Sequence, residues 1–325
     1  MPEPSAIELA PPDIARWRLS NTGVDYLHRF DSGRPGPTVM AVALTHGNEL
    51  CGALALDWLL RQPPPQGGLP RNGRLTLAFA NVAAFDLFDP AEPHVSRFVD
   101  EDLNRVWADP VLFGPRDSAE LRRARALQPF VDEADVLLDI HSMSEPCRPL
   151  MVCGQADKNA AFARELGVPA DLLLDTGHPS GLRMVERGGF SDPASPRRAL
   201  LIECGQHWEA AAEQVAVDTL LRFLRLTGAV DAEWAAPRLR LTPPPRQRVV
   251  RVSEAVVARS ADFRFLVPMT SLGVIAKAGT PIARDGDHVW RAPHDDTVLV
   301  MPSMNHVRAG NTQARLGRFV DDQPD

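Results

Sequence analysis

Apolar runs and amphipathic segments alternate along residues 37–227. The apolar runs predict buried strands, and the segments with apolar residues at helical spacing predict helices that pack against them. Predicted strands lie at about 38–44, 74–79, 136–141, 149–153, 170–175 and 199–203, and predicted helices at about 48–61, 118–134, 157–166 and 209–227. This alternation is typical of an α/β fold, with a largely parallel sheet flanked by helices.

The pattern changes at Ala236-Pro237, where a proline-rich segment begins. Residues 247–325 lack helical periodicity and show short alternating strands separated by glycine turns, which indicates a small antiparallel β domain. We therefore predict an α/β domain over residues 1–236 and a small β-barrel-like domain over 237–325, with a linker at about 237–246.

Composition narrows the possible functions of the 325-residue chain. A net charge of −7 provides no basic face for nucleic acid. No apolar stretch reaches the ~20 residues of a membrane span, and residues 1–5 lack the features of a signal peptide. Four cysteines without a CxxC pair indicate reduced thiols that pack as small apolar residues. We expect a cytoplasmic protein without nucleic-acid or membrane partners.

Side chains suited to metal chemistry follow three of the predicted strands. His46 and Glu49 come after the first strand, His141 ends the second, and Glu203 ends the third. Ligands of open α/β sheets bind outside the carboxyl ends of the strands, so these side chains are expected to converge. Two histidines and a glutamate leave an open position on zinc for water, and a second glutamate supplies a general base.

Each of these residues also has a simpler interpretation. A lone H-x-x-E pair is a weak signal, and a histidine at a strand end is more often a hydrogen-bonded core residue. Glu203 has the alternative of an ion pair with a nearby arginine. Asp139 is equally suited to orienting a ligand histidine and to binding backbone amides.

The segment from Arg97 to Arg105 carries two arginines and Asn104 in nine residues. Arginine binds carboxylates in bidentate fashion, so this segment is a candidate anion clamp. An arginine near a metal also stabilises a developing oxyanion. The alternative is a solvated charge run in which the acidic residues 100–102 pair with the two arginines.

Four motifs in this order resemble the succinylglutamate desuccinylase/aspartoacylase family, which is related to zinc carboxypeptidases. They are His46-Gly47-Asn48-Glu49, Asp102-Leu103-Asn104-Arg105, Asp139-Ile140-His141 and Glu203-Cys204-Gly205. The resemblance covers residues 37–325. It implies a zinc-carboxypeptidase-like mixed sheet flanked by helices, with a small C-terminal antiparallel β domain, and hydrolysis of a small N-acyl amino acid.

The resemblance also implies a role for each residue of the motifs. One Zn²⁺ per chain would be held by His46, Glu49 and His141, the base and later acid would be Glu203, the oxyanion donor Arg97, and the α-carboxylate ligands Asn104 and Arg105. The family also reads a second substrate carboxylate with a further arginine and a C-terminal tyrosine. Neither is matched here: Arg197 and Arg198 lie too close to Glu203, and the only tyrosine is Tyr26.

Two other functions fit the same residues. A zinc carboxypeptidase that trims short peptides would use the same zinc, base and carboxylate clamp. A non-catalytic relative would keep the fold and bind metal but would no longer turn over a substrate. The sequence sets neither the acyl group, nor the amino-acid side chain of the substrate, nor the oligomeric state.

Overall fold

An eleven-stranded mixed sheet forms the centre of the computed structural model, which describes residues 6–305 and 307–320. Residues 1–5, on which the expected lack of a signal peptide rests, lie outside the described residues, as do 306 and 321–325. The strands are β1 (Leu27–Asp31), β2 (Thr38–Ala43), β3 (Arg74–Phe79), β4 (Val136–Met143), β5 (Leu150–Gly154), β6 (Asp171–Leu174), β7 (Arg198–Gln206), β8 (Arg248–Val257), β9 (Arg264–Phe265), β10 (Gly273–Ile275), β11 (Pro281–Asp285), β12 (His288–Arg291), β13 (Thr297–Val300) and β14 (Thr312–Val320).

The strand order of the large sheet is β1-β3-β2-β4-β7-β5-β6-β8-β14-β13-β10. Strands β3, β2, β4 and β7 are mutually parallel, whereas β5 runs antiparallel to β7. A separate antiparallel sheet contains β12, β11 and β9. The predicted α/β fold with a mixed sheet and a small antiparallel sheet is confirmed.

Helices cover both faces of the sheet. They are α1 (Leu50–Arg61), α2 (Val82–Phe85), α3 (Asp109–Leu112), α4 (Ala119–Glu133), α5 (Asp157–Leu166), α6 (Ala210–Leu226) and α7 (Ala232–Ala235). One face packs against the apolar sides of α1, α5 and α6, and the other against α4. The α4 helix begins where the sequence predicts, because the hydroxyl of Ser118 accepts a hydrogen bond from the Leu121 amide.

Two strands run further than the sequence indicates. We predicted that they end at His141 and Glu203, but β4 continues to Met143 and β7 to Gln206. The backbone ladder persists past both residues, with a register shift between His141 and Met143. His141 and Glu203 therefore point from ordered strands, which restricts their motion more than a loop would.

The C-terminal strands extend the sheet of the first part of the chain. Strand β8 pairs in parallel with β6 and antiparallel with β14. Ladder hydrogen bonds thus connect β8, β14, β13 and β10 to the sheet whose strands carry His141 and Glu203. The division at residues 236/237 stays a prediction.

Candidate metal centre and active site

A tight turn after β2 places His46 at the carboxyl edge of the sheet. Leu44 has φ +58°, a left-handed conformation that turns the chain before His46. A Cβ atom on Gly47 would lie 2.4–2.5 Å from backbone atoms of Ala84, Phe85 and Ser96. Only glycine fits this contact, and its amide donates to the carbonyl of Arg97 at 3.1 Å. The glycine of the first motif therefore brings the Arg97 loop against the His46 turn.

Three of the predicted ligands meet in one cluster. The Nδ1 atom of His46 lies 2.7 Å from Oε1 of Glu49, and Nδ1 of His141 lies 2.9 Å from Oε2. One ligand atom from each residue falls within 4.8 Å of the others, and all three residues are buried. The donor set of two imidazoles and one carboxylate is that of hydrolytic zinc sites.

The other nitrogen of each imidazole faces a carboxylate. Nε2 of His46 lies 2.9 Å from Oδ1 of Asp102, and Nε2 of His141 lies 2.7 Å from Oδ2 of Asp139. Metal-ligating histidines usually direct their second nitrogen at such a carboxylate, which fixes the tautomer. Asp139 accepts its second contact from the Thr45 hydroxyl at 2.8 Å. These contacts favour the orienting role of Asp139 and show that the residues fit a divalent metal.

The charges of the cluster are strongly coupled. Burial opposes ionisation of Glu49, but His46 and His141 hold its pKa well below the ordinary value. Burial opposes the charged form of His141, but Asp139 and Glu49 outweigh burial and hold the pKa of His141 well above its usual range. Without a metal, the carboxylates around His141 therefore favour its protonated form. Carboxylates arranged to hold a metal cation stabilise a bound proton in the same way.

Glu203 lies beside the cluster on the neighbouring strand. Its Cα pairs with that of His141 in the β4–β7 ladder, and its side chain lines the same cavity. Burial raises the pKa of Glu203 to about 8. Its Oε2 atom is buried and has no hydrogen-bond partner among the described residues. Among the described residues Glu203 forms no ion pair with an arginine, so the contacts do not support that alternative.

Arg97 approaches the cluster from an irregular loop. Its Nη2 atom lies 2.9 Å from Nε2 of His46 and donates to Oδ2 of Asp102 at 3.1 Å. Asp102 and Glu49 together outweigh the effect of burial and raise the pKa of Arg97. Asp102 thus pairs with an arginine, as the charge-run alternative anticipated. Its contact with His46 was not predicted.

A buried carboxylate from helix α4 holds this loop in place. Oε1 of Glu120 accepts from the Val99 amide at 2.7 Å and the Asn81 side chain at 3.0 Å. Oε2 accepts from the amides of Asp100 and Glu101 at 3.0 and 3.1 Å. A loop without regular structure therefore satisfies three consecutive amides through one side chain.

We expect Glu120→Ala to destabilise the protein by about 3 kcal/mol, because three partly buried loop amides and the buried Asn81 side chain lose their acceptor. Chemical denaturation measures the change in the free energy of unfolding. The control is Glu133→Ala at the exposed end of the same helix, whose ion pairs with Arg29 and Arg74 are screened by solvent and contribute little to stability. Equal stability of the two variants would refute the role of Glu120.

Asn104 and Arg105 line the cavity next to Arg97. Oδ1 of Asn104 accepts from the Met184 amide at 3.0 Å, which leaves its Nδ2 group as the donor for a ligand. Arg105 donates to the carbonyl of Asn104 at 2.7 Å and lies 3.8 Å from Asp102. Burial lowers the pKa of Arg105, so the guanidinium gains from any anion that approaches it.

Two more arginines, Arg183 and Arg315, reach the cavity, and sequence reasoning missed both. Arg183 donates to Asp175 at 2.6 Å and to Glu186 at 2.7 Å. Nε of Arg315, on β14, lies 3.7 Å from the other oxygen of Asp175. Neither residue belongs to the four motifs described above, and their positions depend on the 177–198 loop and on the C-terminal strands.

The cavity has a volume of about 170 Å³ and adjoins a vestibule of about 510 Å³. His207 lines both the cavity and the vestibule, and its Nδ1 atom forms a 2.8 Å hydrogen bond with the Ser142 hydroxyl. Burial lowers the pKa of His207 to about 3, so its imidazole is neutral. The thiols of Cys51 and Cys204, which flank the site in sequence, are buried, in keeping with the predicted packing role.

Residues 35–226 match the family model of the succinylglutamate desuccinylase/aspartoacylase catalytic domain. The chain belongs to this family. The match includes all seven predicted site residues, and the family comprises hydrolytic deacylases. The predicted membership is therefore confirmed, whereas the role of each residue stays a prediction.

Solved structures of the succinylglutamate desuccinylase/aspartoacylase family share the fold. Succinylglutamate desuccinylase from Vibrio cholerae is 19% identical, with a TM-score of 0.65 over 93% of this chain and 88% of that one. The Vibrio parahaemolyticus enzyme is 17% identical, with a TM-score of 0.64 over 91% and 87%. The product-bound ectoine utilization protein EutE (DoeB) from Ruegeria pomeroyi is 16% identical, with a TM-score of 0.63 over 93% and 92%.

No curated protein sequence matches this member of the family. Over the residues that the structure describes, no helix combines the length and apolar character needed to cross a membrane.

Proposed function

We propose that the protein is a zinc-dependent hydrolase that cleaves the amide bond of a small N-acyl amino acid. The observation that carries the proposal is the register of the β4–β7 ladder, which sets Glu203 beside the His46–Glu49–His141 cluster in one cavity. Family membership supports the deacylase class. One metal ion per chain is the stoichiometry that the His46–Glu49–His141 cluster supports.

Zn²⁺ held by His46, Glu49 and His141 would supply Lewis acidity toward the acyl oxygen and toward water. Imidazole and carboxylate donors also accept other divalent ions, and the buried two-nitrogen, one-carboxylate set favours zinc among them. Asp102 and Asp139 lie 2.9 and 2.7 Å from the Nε2 atoms of the two imidazoles and would favour the tautomer that leaves Nδ1 free for the metal.

Glu203 acts as the proton carrier in this proposal. It takes a proton from the attacking water and later gives it to the leaving amine. Its burial and its lack of a hydrogen-bond partner among the described residues suit a group that changes protonation during the reaction. Arg97, whose charge Asp102 and Glu49 maintain, stabilises the negative charge that develops on the acyl oxygen.

Asn104 and Arg105 hold the substrate by its α-carboxylate. The Nδ2 group of Asn104 and the guanidinium of Arg105 donate hydrogen bonds to a planar anion, and charge-assisted bonds of this kind are strong. The cavity accommodates a small molecule whose scissile amide lies between this clamp and Glu203.

A screen of acetyl-, formyl- and succinyl-amino acids with the zinc-loaded protein tests the proposed function directly. Release of a free amino acid from one or more of them is the expected result. Failure to hydrolyse any N-acyl amino acid, with zinc bound, would contradict the proposal.

We expect Arg105→Gln to raise KM about 10- to 100-fold and to change kcat less, because the α-carboxylate is bound in ground and transition state alike. Steady-state kinetics on the best substrate from the screen measures both constants. Arg116→Gln, an exposed arginine that pairs with Glu101, serves as the control and is expected to match the wild type. A fall in kcat alone would argue against the clamp.

The carboxypeptidase alternative is favoured by the vestibule, which offers room beyond the cavity for the rest of a peptide. Profiling with short peptides separates the two, since a deacylase leaves peptide bonds intact. Zinc analysis and an activity assay test the third possibility, a relative without turnover. Such a protein would gain no activity when metal is added. The cytoplasmic location stays a prediction.

A further inference from the structure

Six residues that line the cavity are apolar or carry sulfur. They are called the thioether wall here and are Met143, Cys147, Val152, Leu201, Met269 and Met301. Burial raises the pKa of the Cys147 thiol well above its ordinary value, so this sulfur carries no charge. None of the six side chains offers a strong hydrogen-bond donor or acceptor.

The thioether wall begins next to the proposed base. Leu201 lies two residues before Glu203 on β7 and so on the same side of the strand, and Val152 is its partner on β5. Met143 ends β4, with its Sδ atom 3.4 Å from Sγ of Cys147. A group attached near the scissile bond would therefore meet this surface.

The C-terminal part of the chain completes the wall. Met301 follows β13 and packs against the apolar cluster that contains Met143, Val152 and Leu201. Met269 precedes β10 and is half-buried at the cavity. Methionine is flexible and polarisable, so these two side chains adapt to apolar groups of different shape.

The cations of the cavity are largely compensated. Arg183 and Arg315 share Asp175, and Arg183 also binds Glu186, so two guanidinium charges face two carboxylates. Arg97 and Arg105 face Asp102, and Arg105 is assigned to the α-carboxylate in the proposed function. A second substrate carboxylate against the thioether wall would be desolvated without a donor, which is costly.

We propose that the substrate carries an apolar group, either as its amino-acid side chain or as its acyl chain, and that the thioether wall binds it. This inference rests on the proposed function and adds the substrate class. The rival is a second carboxylate bound at Arg315, and the test below decides between them.

Two pairs of isosteric substrates test the inference with the zinc-loaded protein. N-acetyl-L-leucine and N-acetyl-L-aspartate differ in the side chain, and N-(4-methylpentanoyl)glycine and N-succinylglycine differ in the acyl group. The apolar member is expected to have at least a tenfold higher kcat/KM in the pair whose variable group meets the wall, with about fourfold per buried methylene. Equal rates, or a preference for the dicarboxylate, would overturn the inference.

Met269→Gln keeps the size of the side chain and introduces a polar amide into the wall. It is expected to reduce the preference for the apolar member about tenfold and to change the rate for the charged member little. The control is Met304→Gln, an exposed methionine outside the cavity. An unchanged preference in Met269→Gln and in a parallel Met301→Gln variant would count against the wall.

A binding measurement keeps the inference separate from the proposed function. If none of the four substrates is hydrolysed, the wider screen decides the proposed function, and calorimetry compares 4-methylpentanoate with succinate on the zinc-loaded protein. Tighter binding of 4-methylpentanoate, lost in Met269→Gln, supports the wall. Tighter binding of succinate, or no binding of either, refutes it.

Discussion

Glu203→Gln is expected to lower kcat about 10³- to 10⁴-fold while zinc content and thermal stability stay close to those of the wild type. The amide has the size of the carboxylate but does not accept the proton of water or return it to the leaving amine. The fold requires no hydrogen bond to the Oε2 atom of Glu203, since this atom has no partner among the described residues. Rates, metal analysis and thermal unfolding of the purified variant measure the three quantities.

The control for this variant is Glu209→Gln, six residues further along and outside the cavity lining. A wild-type rate in Glu203→Gln would show that another group is the base. Loss of zinc in that variant would instead place Glu203 among the metal ligands.

The pH profile provides a second measure of the same group. A general base works only when ionised, so activity falls as the pH drops through the pKa of Glu203. Burial raises that pKa to about 8 without metal, and a bound cation lowers it again. The acidic limb of kcat/KM is therefore expected below pH 8.

His141→Ala is expected to abolish both zinc binding and activity, the second large effect. The variant removes one of the three proposed ligands, leaves Asp139 buried without its imidazole partner and leaves Glu49 with one imidazole, His46, instead of two. Metal analysis after dialysis and steady-state kinetics measure the loss. His288→Ala, in the small C-terminal sheet, is the matched control and is expected to keep metal and rate.

Removal of the metal from the wild type should reproduce this result reversibly. Treatment with a chelator is expected to eliminate hydrolysis, and zinc added back should restore the rate and raise Tm, because metal binds only the folded cluster. Full activity of metal-free protein would contradict the metal-dependent mechanism. Recovery of His141→Ala by zinc would show that this imidazole is not a ligand.

Most strands and helices were predictable from the sequence, because buried strands and amphipathic helices leave strong periodic signals. The carboxyl-edge rule then brought His46, His141 and Glu203 together without coordinates. The rule does not say where a strand ends, and so both β4 and β7 were predicted too short.

The supporting residues of the site were not predictable in the same way. Glu120 acts through three amides of a loop about twenty residues earlier in the chain, and Arg315 reaches the cavity from the last strand. Such contacts depend on how irregular segments cross in space. A glutamate at the start of an amphipathic helix is usually exposed, so its pattern gave no reason to expect burial.

The pairing of β8 with β6 has a mechanical consequence for the site. Two lobes joined by a flexible linker can open and close around a ligand, but here the layer that carries Arg315 and Met301 is bound to the rest by a ladder of backbone hydrogen bonds. Over the described residues, this ladder opposes rotation of the layer against the rest of the sheet. We therefore expect the backbone of the cavity to be preformed, with fitting to a ligand left to the methionine side chains.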